Sequence, residues 1–137
     1  MTGVQTCALP IWLQTPLEFT LDCPGELWAV GDAAAVWTIW ENLADNAAKY
    51  GAGQLRVRAV AHGAVVQVEL VDDGQGWAPN AQAGLFQPFV RAVDTGLGTG
   101  LGLHLSRQLA RRMGGELSGA SAGVGQGACF TLSLPRP

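Results

Sequence analysis

Gly98-Thr99-Gly100-Leu101-Gly102-Leu103 runs directly into His104-Leu105-Ser106-Arg107-Gln108-Leu109-Ala110-Arg111-Arg112-Met113, and the reading of this junction decides the fold. Three glycines at alternate positions opening a helix make a loop whose backbone amides can point together at an anion, aided by the positive end of the helix dipole. Glycine-rich turns before helices also occur for purely structural reasons, so the rest of the chain has to arbitrate. In the helix itself, Leu101, Leu105, Leu109 and Met113 fall near helical spacing and are expected to face a sheet, with Arg107, Arg111 and Arg112 toward solvent. Gly114-Gly115 ends it.

Downstream, 116–121 and 128–134 read as a closing hairpin around the glycine-rich turn 123–127. Upstream lies the irregular stretch from Pro79 to Leu97, broken only by the apolar knot Leu85-Phe86-Gln87-Pro88-Phe89; a stretch of that length in a compact domain is usually a lid or a binding loop. Before it, 54–61 and 64–72 are β-branched runs around His62-Gly63, a second hairpin in which His62 is a turn residue. Its second strand runs into Asp72-Asp73-Gly74-Gln75-Gly76-Trp77. A carboxylate at a strand end, followed by alternating glycines, places a hydrogen-bond acceptor beside backbone that a ligand can approach closely.

Asp32 is a suitable N-cap for a long helix over 33–50, ended by Gly51 and Gly53. At about 100° per residue, Val36, Ile39, Trp40, Leu43, Ala47 and Tyr50 share one arc, while Asn42, Asp45, Asn46 and Lys49 form an adjoining polar stripe. The stripe lies at the margin of the core, where a ligand could sit. Ahead of the helix, Leu17-Glu18-Phe19-Thr20-Leu21 alternates as a strand does, and Pro24-Gly25 turns the chain toward a second short strand over Leu27–Val30. Met1–Gln14 follows no strand or helix period, is interrupted by Pro10 and resembles translated sequencing-adapter read-through. It is expected to be a non-native or disordered leader ahead of a domain over 15–137, which would make the chain a fragment of a longer protein.

The 137 residues, 48% of them hydrophobic, suit one domain with a real core, and a formal charge of -3 gives no electrostatic reason to expect nucleic acid or a membrane surface as partner. Cys7, Cys23 and Cys129 lack metal-ligand spacing and are expected to be buried reduced thiols. No apolar run approaches the roughly 18 residues of a membrane span. The element order predicts an α/β (α+β) two-layer sandwich, a mixed and mostly antiparallel sheet of about five strands under about three helices.

Four blocks in one order resemble the catalytic and ATP-binding domain of sensor histidine kinases, within the family of Bergerat-fold ATPases that includes gyrase, the mismatch-repair ATPases and the ninety-kilodalton heat-shock chaperones. Asn42-Leu43-Ala44-Asp45-Asn46-Ala47-Ala48-Lys49-Tyr50 matches the asparagine box, Asp72-Asp73-Gly74-Gln75-Gly76 the first glycine box, Leu85-Phe86-Gln87-Pro88-Phe89 the phenylalanine box, and Gly98 to Leu103 the second glycine box. The resemblance spans about 15–135. It implies ATP and Mg2+ as cofactors. Asn46 is implied as the magnesium ligand, Asn42 and Lys49 as phosphate-side contacts, Tyr50 as a nucleotide contact, and Asp72 as the acceptor for the adenine amine. Gly74 and Gly76 would admit the base, Gly98, Thr99, Gly100, Leu101, Gly102 and Leu103 would close over the phosphates, Phe89 would anchor that lid, and Arg91 would reach the terminal phosphate or the partner domain.

Hydrolysing members of the family carry a glutamate four residues before the magnesium asparagine, where it activates water. Here that position is Asn42, and Glu41 sits about 100° around the helix. An asparagine cannot take the proton, which implies that ATP is held for a nucleophile from elsewhere: a histidine on a separate dimerisation domain, with a response regulator further on. Neither His62 nor His104 lies in such an acceptor motif, and His104 is expected to serve packing or capping. The resemblance also implies a cytoplasmic domain without membrane contact of its own, leaving open whether the parent is anchored in the inner membrane. Two positions depart from the family's pattern: Trp77 replaces a smaller aliphatic residue of the base pocket, and Ala128 a threonine of the closing hairpin. A stand-alone serine kinase of the anti-sigma type, a water-hydrolysing ATPase and a degenerate interaction module remain alternatives.

Overall fold

A computed structural model describes residues 17–23, 25–88 and 102–137. The elements are β1 (Glu18–Asp22), α1 (Ala33–Lys49), β2 (Gln54–His62), β3 (Val65–Asp72), a 3-10 helix (Pro79–Gly84), α2 (Gly102–Arg112), β4 (Glu116–Ala120) and β5 (Ala128–Pro135). The strands form one sheet in the order β1-β2-β3-β5-β4. β1 runs parallel to β2, as strands joined through a helix do, and every other neighbouring pair is antiparallel. The mixed, mostly antiparallel sheet under helices is the expected architecture.

Period-2 patterning sets the sheet's two faces. Along β5 the side chains alternate between buried and half-buried without interruption. The inward set Ala128, Phe130, Leu132 and Leu134 joins Val66 and Leu70 of β3, Leu55 of β2 and Leu117 of β4 in the core. The helices cover this face. Asp32 caps α1 by accepting from the Ala34 N–H at 3.2 Å, and Ile39, Leu43, Ala44 and Ala47 carry its buried stripe. On α2 the innermost residues are Ser106 and Ala110, one turn apart and completely buried.

Some expectations fail. Leu27–Val30 is not a strand: among the described residues its backbone is linked to the sheet by one bond, from the Val30 N–H to the Pro135 carbonyl at 2.8 Å. Leu105 is 49% exposed, because the arc of α2 facing the core is centred on Ser106 and Ala110, with Leu103, Leu109 and Met113 on its flanks. Arg107 is half-buried rather than solvated: its guanidinium lies 4.9 Å from the centre of the Phe86 ring and pairs with Glu116 at 3.2 Å. Cys23 is exposed, against the expectation of buried thiols, while Cys129 is half-buried. Part of the irregular stretch is ordered as the 3-10 helix, whose Gln82 accepts from the Trp77 indole at 2.8 Å and donates to the Gly119 carbonyl at 2.6 Å. Among the described residues no helix is long and apolar enough to cross a membrane.

Candidate functional site

α1 supplies the spine of the site. Its polar stripe faces two different neighbours, one at each end. At one end the Asn42 amide donates to the Ser106 hydroxyl at 2.9 Å and toward the Gly102 carbonyl at 3.3 Å. A carbonyl can only accept, so this contact fixes which way the amide points. The start of α2 is thereby held against α1. At the other end, the Tyr50 carbonyl accepts from the Gln75 N–H at 2.9 Å, bringing the loop after β3 up to the end of the helix.

Asn46 stands just over one turn, about 6 Å, beyond Asn42 along the axis, and Lys49 nearly one turn further. Both are half-buried. Among the described residues, neither the Asn46 side-chain amide nor the Lys49 ammonium has a hydrogen-bond or ion-pair partner. Both groups are therefore open to solvent or to a ligand.

The loop Asp72-Asp73-Gly74-Gln75-Gly76 is held far more tightly. Asp72 Oδ1 accepts from the Gly74 N–H at 2.9 Å. Burial raises the pKa of this carboxyl, opposed by the N–H groups of Gly74 and Ala128. Asp73 behaves oppositely: its Oδ1 accepts from the N–H groups of Gln54 at 2.9 Å and Gly53 at 2.8 Å, which hold its pKa below the ordinary carboxylate range. Asp73 thus fastens the loop to the start of β2, and Asp72 presents its carboxyl beside α1. A Cβ on Gly74 would press against the Tyr50 carbonyl and Asp72 Oδ1, so only glycine lets this loop lie so close to the helix.

Trp77 is 5% exposed, with its ring 5.7 Å from that of Phe130. It fills the core behind the loop, and its indole N–H is satisfied by Gln82. Ala128 is buried opposite Asp72 in the β3–β5 ladder. Leu103 is half-buried against the core, and the His104 ring nitrogen lies 3.3 Å from the Phe86 carbonyl. Phe89, Arg91, Gly98, Thr99, Gly100 and Leu101, named from the sequence, lie outside the described residues, as does the leader 1–14.

Along α1 the structure thus brings Asn42 to Gly102 and Tyr50 to the Asp72–Gly74 loop, with Asn46 and Lys49 on the helix between them; Gly76 packs instead against Ser121, Gly123 and Gly127, and Leu103 against the core. Sequence reasoning missed three residues here: Ser106, Gln82 and Ser121, the last accepting from the Trp77 N–H at 3.1 Å. Ser106 alone had a legible signal, as a small polar residue four positions after Gly102 on the same helical face. No group of three or more His, Cys, Asp or Glu suited to a metal occurs among the described residues. A cavity of about 220 Å³ on the opposite face of the sheet, lined in part by Glu18, Arg56 and Asp73, shares Asp72 with this site but carries acidic groups that would repel phosphates.

Residues 31–137 match the family model described as Histidine kinase-, DNA gyrase B-, and HSP90-like ATPase. No curated protein matches the chain. Among solved structures, the mycobacterial sensor histidine kinase MprB is similar with a TM-score of 0.78 and 27% identity over 89% of this chain and 86% of that one. The ATP-binding domain of PrrB from Mycobacterium tuberculosis gives 0.72 and 29% over 90% and 82%. Full-length ShkA in complex with AMPPNP gives 0.78 and 30% over 93% of this chain, which spans only 27% of that one. Family match and fold agree: the chain belongs to the histidine kinase-, DNA gyrase B- and HSP90-like ATPases, as a domain of the kind found in sensor histidine kinases.

Proposed function

We propose that this chain is the catalytic domain that binds Mg-ATP in a sensor histidine kinase and presents the γ-phosphate to a histidine on a separate dimerisation domain, from which a response regulator is later charged. The observation that carries the reading is the pair of half-buried groups on α1, Asn46 and Lys49, unpartnered among the described residues and set along the helix between Asn42, bonded to the start of α2, and Tyr50, bonded to the loop after Asp72. The residues present fit the group. Asn46 offers a neutral oxygen suited to a hard cation already held by phosphates, Lys49 a positive charge with no ion-pair partner among the described residues, and Gly74 the lack of a Cβ that would press on Asp72 Oδ1.

In this reading Asp72 accepts the exocyclic amine of adenine, Tyr50 flanks the nucleotide, and the N–H groups at the start of α2 face the phosphates. Bound magnesium would offset phosphate charge. The chain's own part is positioning and charge neutralisation, which is most of what phosphoryl transfer asks of a protein. The nitrogen of the incoming histidine bonds to the γ-phosphorus while the bond to the β-γ bridging oxygen breaks, ADP leaves, and the ring's proton passes to solvent. Asn42 cannot act as a base toward water, and its amide is already committed to Gly102 and Ser106, which supports transfer over hydrolysis. The roles implied for Phe89, Arg91, Gly98, Thr99, Gly100 and Leu101 belong to the same proposal.

The test is to titrate the chain with ATP with and without magnesium, then incubate it with γ-labelled ATP alone and with a histidine-bearing helical hairpin domain. Magnesium-dependent binding, no self-labelling and label on the hairpin are expected. Steady release of phosphate would make it a hydrolysing ATPase, and absence of binding an interaction module.

A further inference from the structure

The turn between β4 and β5 is built around one hydroxyl. Ser121 Oγ accepts from the N–H of Trp77 at 3.1 Å and of Gly123 at 3.2 Å. It faces the Gly127 carbonyl at 2.7 Å and the Gly123 carbonyl at 3.2 Å. A serine hydroxyl has one proton and two lone pairs, so its donation goes to the nearer Gly127 carbonyl and its capacity is then used up. Two backbone bonds run alongside, from the Gly125 N–H to the Gln75 carbonyl at 2.6 Å and from the Gly127 N–H to the Gly74 carbonyl at 3.0 Å.

No spare room remains in this contact. Gly76 has φ +62°, and a Cβ there would run into Ser121 Oγ and the carbonyls of Gly123 and Gly127. A Cβ on Gly127 would meet the Asp72 carbonyl. The turn is thus pressed along the back of the Gly74-Gln75-Gly76-Trp77 backbone, while Gly74, through its N–H, is what Asp72 Oδ1 holds.

We propose that Ser121 is a positioning residue for base recognition. Its hydroxyl fixes the 121–127 turn as a brace behind the glycine loop, and the brace fixes the direction of the Asp72 carboxyl. The path runs from Ser121 to Gly127, from the Gly127 N–H to the Gly74 carbonyl, and from the Gly74 N–H to Asp72. This rests on the nucleotide-binding reading above and adds to it a residue distant in sequence from Asp72 whose effect is on discrimination between bases. Asp72 reads an amine only while it points at it; a carboxyl free to swing accepts equally well from water or from another base.

The experiment measures ATP and GTP dissociation constants in magnesium for the full chain, for Ser121→Ala and for Ser121→Thr, together with amide hydrogen exchange at Trp77. Ser121→Ala is expected to weaken ATP about tenfold, the scale of one or two lost hydrogen bonds, to shrink the preference for ATP over GTP by a similar factor, and to speed exchange at the Trp77 N–H. Ser121→Thr, which keeps the hydroxyl, is expected to retain the preference. Unchanged ATP affinity and preference in Ser121→Ala would overturn the brace, as would equal losses for ATP and GTP, the mark of general loosening. Should Ser121→Ala not fold, Ser121→Cys replaces it with the same expected signs. A wild-type chain that binds neither nucleotide overturns the nucleotide reading itself, and is distinguishable from failure of the brace, in which wild type binds ATP and the variant matches it.

Discussion

The two ends of the candidate site are built on opposite plans. Around Asp72 the protein satisfies itself: Gly74, Gln75, Gly76 and Trp77 are all held by backbone or hydroxyl partners or by close packing, and side chains larger than glycine are excluded at three points. Along α1, Asn46 and Lys49 are half-buried and have no partner among the described residues. Rigidity at the first end suits reading a flat base, where angles discriminate. Open valence at the second suits a metal and phosphates, whose charge supplies the interaction whenever they arrive. The same contrast says where stability and function part company, since groups satisfied by the protein hold the fold and groups left open are available to a ligand.

Substitutions can break that contrast or sharpen it. The largest effect is expected from Gly76→Ala, which puts a Cβ into space filled by three oxygens at a positive φ; thermal melting should show a loss of at least about 2 kcal/mol and ATP titration a loss of binding. Next comes Asp72→Asn, which offers the base an amide in place of a carboxylate: ATP affinity should fall roughly a hundredfold with little change in melting temperature. Asn46→Ala should weaken ATP about tenfold, only in the presence of magnesium, with melting unchanged because no hydrogen bond among the described residues is lost. A melting loss there equal to that of Gly76→Ala would end the contrast.

Acid should separate the ends of the loop. Burial raises the pKa of Asp72, so the neutral carboxyl forms early as pH falls and ATP affinity should decline at a pH above the ordinary carboxylate range near 4. The N–H groups of Gln54 and Gly53 lower that of Asp73, so its contribution to stability is full above the ordinary range and is lost only as pH falls through its depressed value. Binding measured by titration should therefore fail at a higher pH than the fold followed by circular dichroism. The smallest effect belongs to Arg111→Ala, which removes an exposed partner of Glu116 while Arg107 remains, and should shift stability by less than about 0.5 kcal/mol.

Much of this was legible in the sequence because the signals were local. Asp32 as a cap, the alternation along β5, and the apolar arc of α1 each depend on neighbours a few residues away. Residues sharing the polar stripe of α1 were likewise readable from helical geometry alone. What stayed hidden depends on distant partners. Leu27–Val30 has the composition of a strand but among the described residues finds only the Pro135 carbonyl in the sheet, whereas β1 gains a whole parallel neighbour in β2. Ser121 reads as the last residue of a strand until Trp77, 44 positions earlier, is seen to donate to it, and Gln82 reads as loop until it bridges the Trp77 indole and Gly119. The inward face of α2 was misplaced because two small residues occupy it and leucines flank it.

Those two small residues act as a gauge. Helix axes stand about 8–10 Å apart according to the size of the side chains between them, and α2 turns nothing larger than the hydroxyl of Ser106 and the methyl of Ala110 to its most buried face. The width of the gap between the Asn42 turn of α1 and the first turn of α2 is therefore set by a handful of atoms. A methylene added at Ser106, which receives the Asn42 amide, would act as a shim, spreading the end of the site that faces Gly102 while leaving the Asp72 end, braced from the other side of the loop, at its original spacing.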